Sequence, residues 1–344
     1  MVEIENNATI LKSLPRRLVF ELTNTCNLKC VMCGRNVTDF NPTMLKMEWF
    51  DYFVPFFNTV EEVTLMGWGE PTIHPNFVKM LSIIDKHNAR KYFCTNGMTL
   101  DKIKAAIFEY SVDVFSISVD GAVPQTNDKI RQGSNFVKII SDLKEIVKER
   151  NSNGLKYPHI NFVFCAMKSN LNELAKLVEL AADIGIEEVK VVYMTAFNSA
   201  FANEVLWDLK DEIKREFDKA MINADIYNIL LKLPFVPGED PAANSSHREC
   251  FAVYRDLFIS SDGFIRPCMS SAHKFFPLNI NTGISEIWNS PNHQAYRKVT
   301  NNEKKMFDPC KRCFQSSHCN WNKKESFIQS GNKFSPIWES ETVK

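Results

Sequence analysis

The sequence has no net charge, because 41 lysines and arginines offset 41 aspartates and glutamates. No overall field draws the chain to nucleic acid or to an anionic membrane, and neither is an expected partner. It also lacks any apolar run approaching the roughly 18 residues of a membrane span. Residues 1–17 show no continuous apolar core followed by a small-residue cleavage site, so an export signal is missing. A cytoplasmic protein is expected. There is no repeat beyond an alternation of short and long apolar segments, and no low-complexity tract. What remains is an ordinary globular composition, 44% hydrophobic and 24% charged over 344 residues. That length suffices for one large or two modest domains, each with its own core. Ten cysteines would mean disulfides in a small secreted protein. In a large chain without an export signal, their clustering points to metal instead. Cys26, Cys30 and Cys33 form one group and Cys250, Cys268, Cys310, Cys313 and Cys319 another, while Cys94 and Cys165 stand alone.

Strand patterns are expected at Leu18 to Leu22, Glu62 to Met66, Arg90 to Thr95, Asp113 to Val119, His159 to Ala166 and Glu187 to Tyr193. Helical patterns fall between them, at Met44 to Phe57, Asn76 to His87, Leu100 to Tyr110, Ser134 to Arg150 and Asn170 to Ile184, with a longer one at Asn203 to Ala224. Strands alternating with helices imply a parallel sheet with right-handed crossovers. The expected fold is α/β, a partial (β/α)6 barrel over residues 1–232 with its ligands at the C-terminal strand ends. Residues 233–249 are rich in Pro, Gly, Asp, Asn and Ser and read as a linker or a loop beside the site. In residues 250–322, Ser261-Asp262-Gly263 between two apolar runs signals a β-hairpin, and a short helix, Ile284 to Arg297, follows. Residues 323–344 would be a tail.

The first three thiols lie directly after the first strand, at Cys-x3-Cys-x2-Cys spacing. Three thiolates can hold three irons of a four-iron cluster and leave the fourth free for a ligand. Two other readings exist: one helix face carrying positions i, i+4 and i+7, and a zinc site in want of a fourth ligand. Thr25, Asn27 and Gly34 favour a loop. The second strand ends in Gly67-Trp68-Gly69-Glu70-Pro71, where glycines permit close backbone approach and a carboxylate can accept hydrogen bonds. Polar residues also end the next strands, at Asn96, Ser118 and Asp120, although Asp120-Gly121 could simply cap a turn. None of the histidines has ligand spacing. Cys94 and Cys165, flanked by apolar residues, read first as small core residues. Lining a barrel, they or Cys319 could instead donate a hydrogen atom to a carbon radical.

These motifs resemble the radical S-adenosylmethionine (SAM) superfamily, whose hallmark is that cysteine spacing after the first barrel strand. The resemblance implies a four-iron cluster on Cys26, Cys30 and Cys33 whose open iron is chelated by SAM. Met32 falls at the position near the adenine, where most relatives carry an aromatic residue. Gly69-Glu70-Pro71 matches the last three residues of the family's Gly-Gly-Glu-Pro motif, which holds the SAM amine, with Trp68 in place of its first glycine. The resemblance assigns Ser118, Asp120 and Asn96 to SAM contacts, Arg131 to its carboxylate, and Asn170 to a weaker contact. Arg131 could equally be a solvated surface residue. Downstream, Cys250-x12-Gly-x4-Cys268 and Cys310-x2-Cys313-x5-Cys319 are similar to the first parts of the SPASM pattern. The family's next thiol falls on Lys323 and no cysteine follows Cys319. The shortened twitch form fits better, implying one auxiliary four-iron cluster on Cys250, Cys268, Cys310 and Cys313. A four-cysteine zinc site stays open, and Cys319 could replace one ligand or stay free.

The resemblance implies an oxidoreductase fed by a flavodoxin- or ferredoxin-type reductant, which cleaves SAM to a 5′-deoxyadenosyl radical and takes hydrogen from an unactivated C–H bond. The twitch arrangement is similar to that of 2-deoxy-scyllo-inosamine dehydrogenase, which leans the expectation towards a small hydroxylated substrate such as a sugar or cyclitol. The alternative is a ribosomally made peptide, crosslinked or epimerised. Many peptide-modifying relatives carry a leader-binding domain, and only 25 residues precede Cys26. A further alternative is an iron-sulfur or zinc protein that senses or scaffolds without catalysis.

Overall fold

A computed structural model describes residues 2–37, 41–196, 199–239, 250–269, 271, 273–302, 304–308, 310 and 327–329. Its strands are β1 Arg17–Phe20, β2 Glu62–Leu65, β3 Arg90–Thr95, β4 Val114–Ser118, β5 His159–Ala166, β6 Glu188–Tyr193, β7 Leu230–Pro234, β8 Asp256–Ile259, β9 Phe264–Arg266, β10 Phe276–Pro277 and β11 Phe327–Gln329. The helices are α1 Val2–Glu5, α2 Met47–Phe53, α3 Phe77–Ile84, α4 Leu100–Glu109, α5 Pro124–Ile130, α6 Phe136–Ser152, α7 Leu174–Ile184, α8 Lys210–Tyr227, α9 Ala252–Arg255, α10 Ile284–Trp288 and α11 Pro291–Val299.

All strands join one sheet in the order β10-β9-β8-β1-β2-β3-β4-β5-β6-β7-β11. From β8 through β7 every pairing is parallel, and β9, β10 and β11 add antiparallel edges. The six expected strands are all present, and α3, α4, α6 and α7 fill the crossovers between β2 and β6 as the alternation requires. The outer face of the sheet packs on these helices. Phe20 of β1 meets Phe50, Phe53 and Phe57 of the α2 region at ring distances of 5.0, 5.5 and 6.4 Å, and all four rings are wholly buried.

Several features differ from the sequence expectation: the span read as a linker begins inside β7, and the span read as a tail contributes β11, which pairs with β7. Helix α8 starts at Lys210 rather than Asn203, because residues 199–204 form tighter turns and Asp211 and Glu212 place negative charge where a helix N-terminus favours it. The segment from Ile284 to Arg297 is two helices, since Pro291 cannot continue α10 and instead opens α11, with Ser290 accepting a hydrogen bond from the His293 N–H. Strand β8, expected only as a hairpin arm, also lies parallel to β1 with Arg17 opposite Asp256 and Phe20 opposite Ile259. The hairpin itself forms, β8 pairing with β9 across the turn at Gly263, whose φ is +77°.

A row of charges crosses the sheet where these strands begin. Arg17 stands opposite both Glu62 and Asp256, and Glu62 opposite Arg90. Arg17 Nε and Nη2 reach the two Asp256 oxygens at 2.9 and 2.5 Å, and Arg255 holds the same carboxylate at 2.7 and 2.9 Å. Burial alone would raise the Asp256 carboxyl, but the two guanidiniums bring it below its usual value. Residues 9–13 dock on the far side of the chain, where Asn289 exchanges two hydrogen bonds with Leu11 and Arg297 donates to the Thr9 carbonyl. Among the described residues no helix is long and apolar enough to cross a membrane.

Candidate active site at the strand ends

The cysteine loop leaves β1 at one rim of the sheet, where the segments following β2, β3, β4 and β5 also end. It is not helical, which removes the helix-face reading of Cys26, Cys30 and Cys33. Two rungs fix it: the Lys29 N–H donates to the Gln132 carbonyl at 2.9 Å and the Val31 N–H to the Ile130 carbonyl at 2.8 Å. On its other side the Glu70 N–H donates to the Thr25 carbonyl at 2.8 Å. All three thiols are half-buried. Donors surround their sulfurs. Leu28 N–H and Asn96 Nδ2 lie 3.4 and 3.6 Å from Cys26 Sγ, and Arg131 Nη1 lies 3.9 Å from Cys30 Sγ. Burial pushes the Cys30 thiol up to about 11, with Arg131 pulling the other way.

These donors suit a loop built to hold thiolates, which are acceptors of N–H hydrogen bonds. Among the described residues no three His, Cys, Asp or Glu side chains are close enough to share a single metal ion. The loop thus fits a cluster, which takes each thiolate on a different iron, better than it fits one zinc.

The turn after β2 is built against the cysteine loop and β1. A Cβ on Gly69 would lie 2.3 and 2.4 Å from the Thr23 and Thr25 carbonyl oxygens, and one on Gly67 would strike the Glu21 side chain. These glycines therefore serve close approach to protein, where the sequence suggested approach to a ligand. Glu70 is 3% exposed and faces inward. Its Oε1 accepts from Thr72 N–H, Thr72 Oγ1 and Thr95 Oγ1 at 3.2, 2.6 and 2.7 Å, and its Oε2 accepts from the Asn96 N–H at 2.7 Å. Burial raises this carboxyl while the four donors oppose the rise. Asn96 spends its amide on Asn27 Oδ1 at 2.8 Å and on Cys26, and accepts from the Met98 N–H.

Asp120 and Asn170 are equally committed. Asp120 Oδ1 accepts from the Cys165 N–H at 2.7 Å, and Oδ2 lies 2.7 Å from Arg131 Nε in an ion pair that is not a straight hydrogen bond. Asn170, wholly buried, donates to the Asp120 and Cys165 carbonyls and accepts from the Met167 N–H at 2.7 Å. Met32, Gly67, Trp68, Gly69 and Ser118 are half-buried instead. Met32 packs beside Ile130, Met167, Met194 and Cys165. Cys94 Sγ lies 3.7 Å from Ser118 Oγ, and burial pushes that thiol to about 11; the Cys165 thiol is pushed further, by burial and then by Asp120.

Of the second cysteine group, Cys250, Cys268 and Cys310 are half-buried, and Cys313 and Cys319 lie outside the described residues. Tyr296 sits between aromatic neighbours Phe275 and Phe307 at 4.7 and 4.5 Å. Burial raises its phenol, and the nearby Cys310 and Cys268 add to the rise, so those two thiols share its neighbourhood. His74 is structural, bonding Leu45 and Asn76. His273 packs on Tyr296, and His247 and His318 are outside the described residues.

Sequence reasoning missed Glu21. It is 1% exposed, its Oε1 accepts from the Trp68 N–H at 2.9 Å, and its Oε2 accepts from Ser261 of the β8–β9 turn. The available signal was a lone carboxylate inside an apolar strand, Leu18-Val19-Phe20-Glu21-Leu22.

Comparison with known proteins agrees with this arrangement. A family model described as the radical SAM superfamily matches residues 20–199, and the SPASM model, an iron-sulfur cluster-binding domain, matches residues 250–314. The tungsten-containing aldehyde ferredoxin oxidoreductase cofactor-modifying protein of Pyrococcus furiosus is 23% identical over 345 residues, 92% of each chain. The antilisterial bacteriocin subtilosin biosynthesis protein AlbA of Bacillus subtilis is 25% identical over 297 residues, 81% of this chain and 60% of that one. Among solved structures, Streptococcus suis SuiB bound to precursor peptide SuiA superposes with a TM-score of 0.67 at 18% identity, covering 87% of this chain and 69% of SuiB. The first domain carries a four-iron cluster with SAM and the second auxiliary iron-sulfur ligation. With a cysteine loop on β1 and a second thiol set on both sides of β8 in the chain, the protein belongs to the radical SAM superfamily and bears a SPASM iron-sulfur domain.

Proposed function

We propose that the protein is a radical SAM maturase whose substrate is a peptide. What supports the substrate class is the company the chain keeps. A bacteriocin biosynthesis protein matches over most of this chain, and a fold neighbour has a precursor peptide bound. These favour a peptide over the small hydroxylated substrate to which the cysteine count leaned. The observation that carries the catalytic reading is the β1–β8 pairing. One continuous sheet holds the SAM-type cysteine loop and the auxiliary thiols in a single body.

When loaded, the site supplies one-electron cleavage of SAM and with it the means to take hydrogen from an unactivated C–H bond. The chain's own part is to hold, aim and insulate. Cys26, Cys30 and Cys33 would hold the cluster, and Cys250, Cys268, Cys310 and Cys313 an auxiliary one. SAM contacts fall on the half-buried rim, namely Met32, Ser118 and the turn Gly67-Trp68-Gly69. Glu70, Asn96, Asp120 and Asn170 set the positions of these elements from behind. The donor of electrons would be a ferredoxin- or flavodoxin-type protein.

The test is anaerobic reconstitution followed by an iron and zinc count, and an assay for 5′-deoxyadenosine with dithionite. About eight irons per chain, four in each cluster, with SAM cleavage is the expected result. Four irons plus one zinc would sink the auxiliary cluster, and no cleavage would sink the enzyme in favour of a sensor or scaffold. Cleavage stimulated by a cyclitol and not by peptides encoded near the gene would overturn the substrate class.

A further inference from the structure

The short ladder that pins the cysteine loop places one pair of side chains face to face. Lys29 bonds Gln132 and Val31 bonds Ile130, so Cys30 and Arg131 lie between the same two hydrogen bonds. The guanidinium is 8% exposed, and its Nη1 lies 3.9 Å from Cys30 Sγ. Its direction is fixed from behind. Nε is 2.7 Å from Asp120 Oδ2, and Asp120 is itself held by the Cys165 N–H on its other oxygen and by Asn127 Oδ1 on its backbone N–H. Asn170 in turn ties the Asp120 carbonyl to the end of β5. Among the described residues the donors to the Cys26 sulfur are neutral, Leu28 N–H and Asn96 Nδ2.

We propose that Arg131 is a positioning residue that acts on the cluster through Cys30. Anchored by Asp120, it presents a positive charge and an N–H to that sulfur and raises the cluster's reduction potential. Hydrogen bonds and positive charge at a ligating sulfur stabilise the more negative, reduced cluster. Asp120 lies behind the guanidinium, on Nε, while Nη1 faces the sulfur, so the positive group stands on the Cys30 side of the pair. The inference rests on the cluster reading of Cys26, Cys30 and Cys33, and is independent of the substrate class.

The experiment is an EPR-monitored redox titration of the reconstituted protein without SAM. The relevant signal is identified as the one lost when Cys26, Cys30 and Cys33 are all replaced by Ala. At the potential where half of the parent cluster is reduced, Arg131→Gln should lower the reduced-to-oxidised ratio about tenfold, equivalent to about 59 mV for one electron. Arg131→Lys, which keeps the charge, should lower it less than threefold. Asp120→Asn with Arg131→Gln removes both charges, leaves no orphaned carboxylate, and should reproduce the fall. Ratios within twofold of the parent in both Gln-bearing variants, or a parent signal that survives the triple Ala replacement, would overturn the proposal.

Discussion

Both hydrogen-bonding groups of Ser261 point at one carboxylate: Glu21 Oε2 accepts its backbone N–H at 3.1 Å and its hydroxyl at 2.9 Å, across 240 positions of chain. The other oxygen, Oε1, holds the Trp68 N–H, so a single side chain ties the turn after β2 to the turn after β8. The Ser261 hydroxyl continues to Thr43 Oγ1 at 2.7 Å, and Thr43 in turn bonds Asn24, two residues before Cys26.

Replacing Glu21 with Ala leaves two backbone N–H groups buried without acceptors, and we expect a loss of about 3 kcal/mol in unfolding free energy. SAM affinity should fall with it, since the Trp68 turn loses its anchor. Ser261→Ala keeps the backbone bond and should cost about 1 kcal/mol with SAM affinity unchanged. Thermal unfolding and isothermal titration of the reconstituted protein check the pair. Equal effects of the two variants on SAM affinity would count against the role given to Trp68.

Gly69→Ala places a methyl group against two backbone carbonyls that cannot swing aside. The strain is worth about 1–3 kcal/mol, and it falls on Thr23 and Thr25 at the root of the cysteine loop. The expected result is reduced iron at the Cys26, Cys30 and Cys33 site with the auxiliary signal retained, read by EPR and iron count.

His293 gives a pH dependence. Its Nδ1 bonds the Ile287 carbonyl at 3.0 Å, its Nε2 has no partner among the described residues, and the ring is fully buried. Burial, and then Arg297, hold its pKa down at about 3. The folded state keeps the ring neutral while the unfolded chain protonates near 6.5, so this stabilising contribution is complete above 6.5 and is lost as pH falls towards 3. The slope is at most about 1.4 kcal/mol per pH unit. His293→Gln should flatten the melting temperature between pH 6.5 and 4.5 relative to the parent, and parallel curves would refute the assignment.

The charged row at the base of the sheet predicts an asymmetry. Arg17→Ala leaves Asp256 with Arg255 and Glu62 with Arg90, whereas Asp256→Ala removes the carboxylate that Arg17 and Arg255 share and sets their two charges against each other in the interior, with Glu62 still 3.7 Å from Arg17. Breaking a buried pair costs about 3–5 kcal/mol. Arg17→Ala should fall at the low end and Asp256→Ala at the high end in chemical denaturation.

The barrel strands were legible as short segments between longer amphipathic ones, because most of them are buried on both faces, as β1 and β6 are, and only Arg90 to Thr95 alternates cleanly. The break before Pro291 was equally available from the Ser-Pro pair and was overridden by the apolar spacing around it. The partnership of β1 with β8 was not legible. Parallel pairing across 239 positions leaves no local mark in either strand. At the site, the thiols could be read from spacing alone. The orientation of Glu70, Asn96 and Asn170 could not, because each turns on which donors the neighbouring strand brings into reach. Polar residues at strand ends announce a rim without saying which of them face the opening and which face the wall.

The placement of β1 between β2 and β8 also sets an order of events in biosynthesis. On a translating ribosome β1 emerges more than 200 residues ahead of Asp256, its register partner on that side. Until then one edge of the strand that launches the cysteine loop is bare, a template for wrong pairing. Closing it last makes the folding slow and non-local. The loop then reaches its final shape only after the second thiol set has begun to appear, so metal loading belongs to the nearly finished chain.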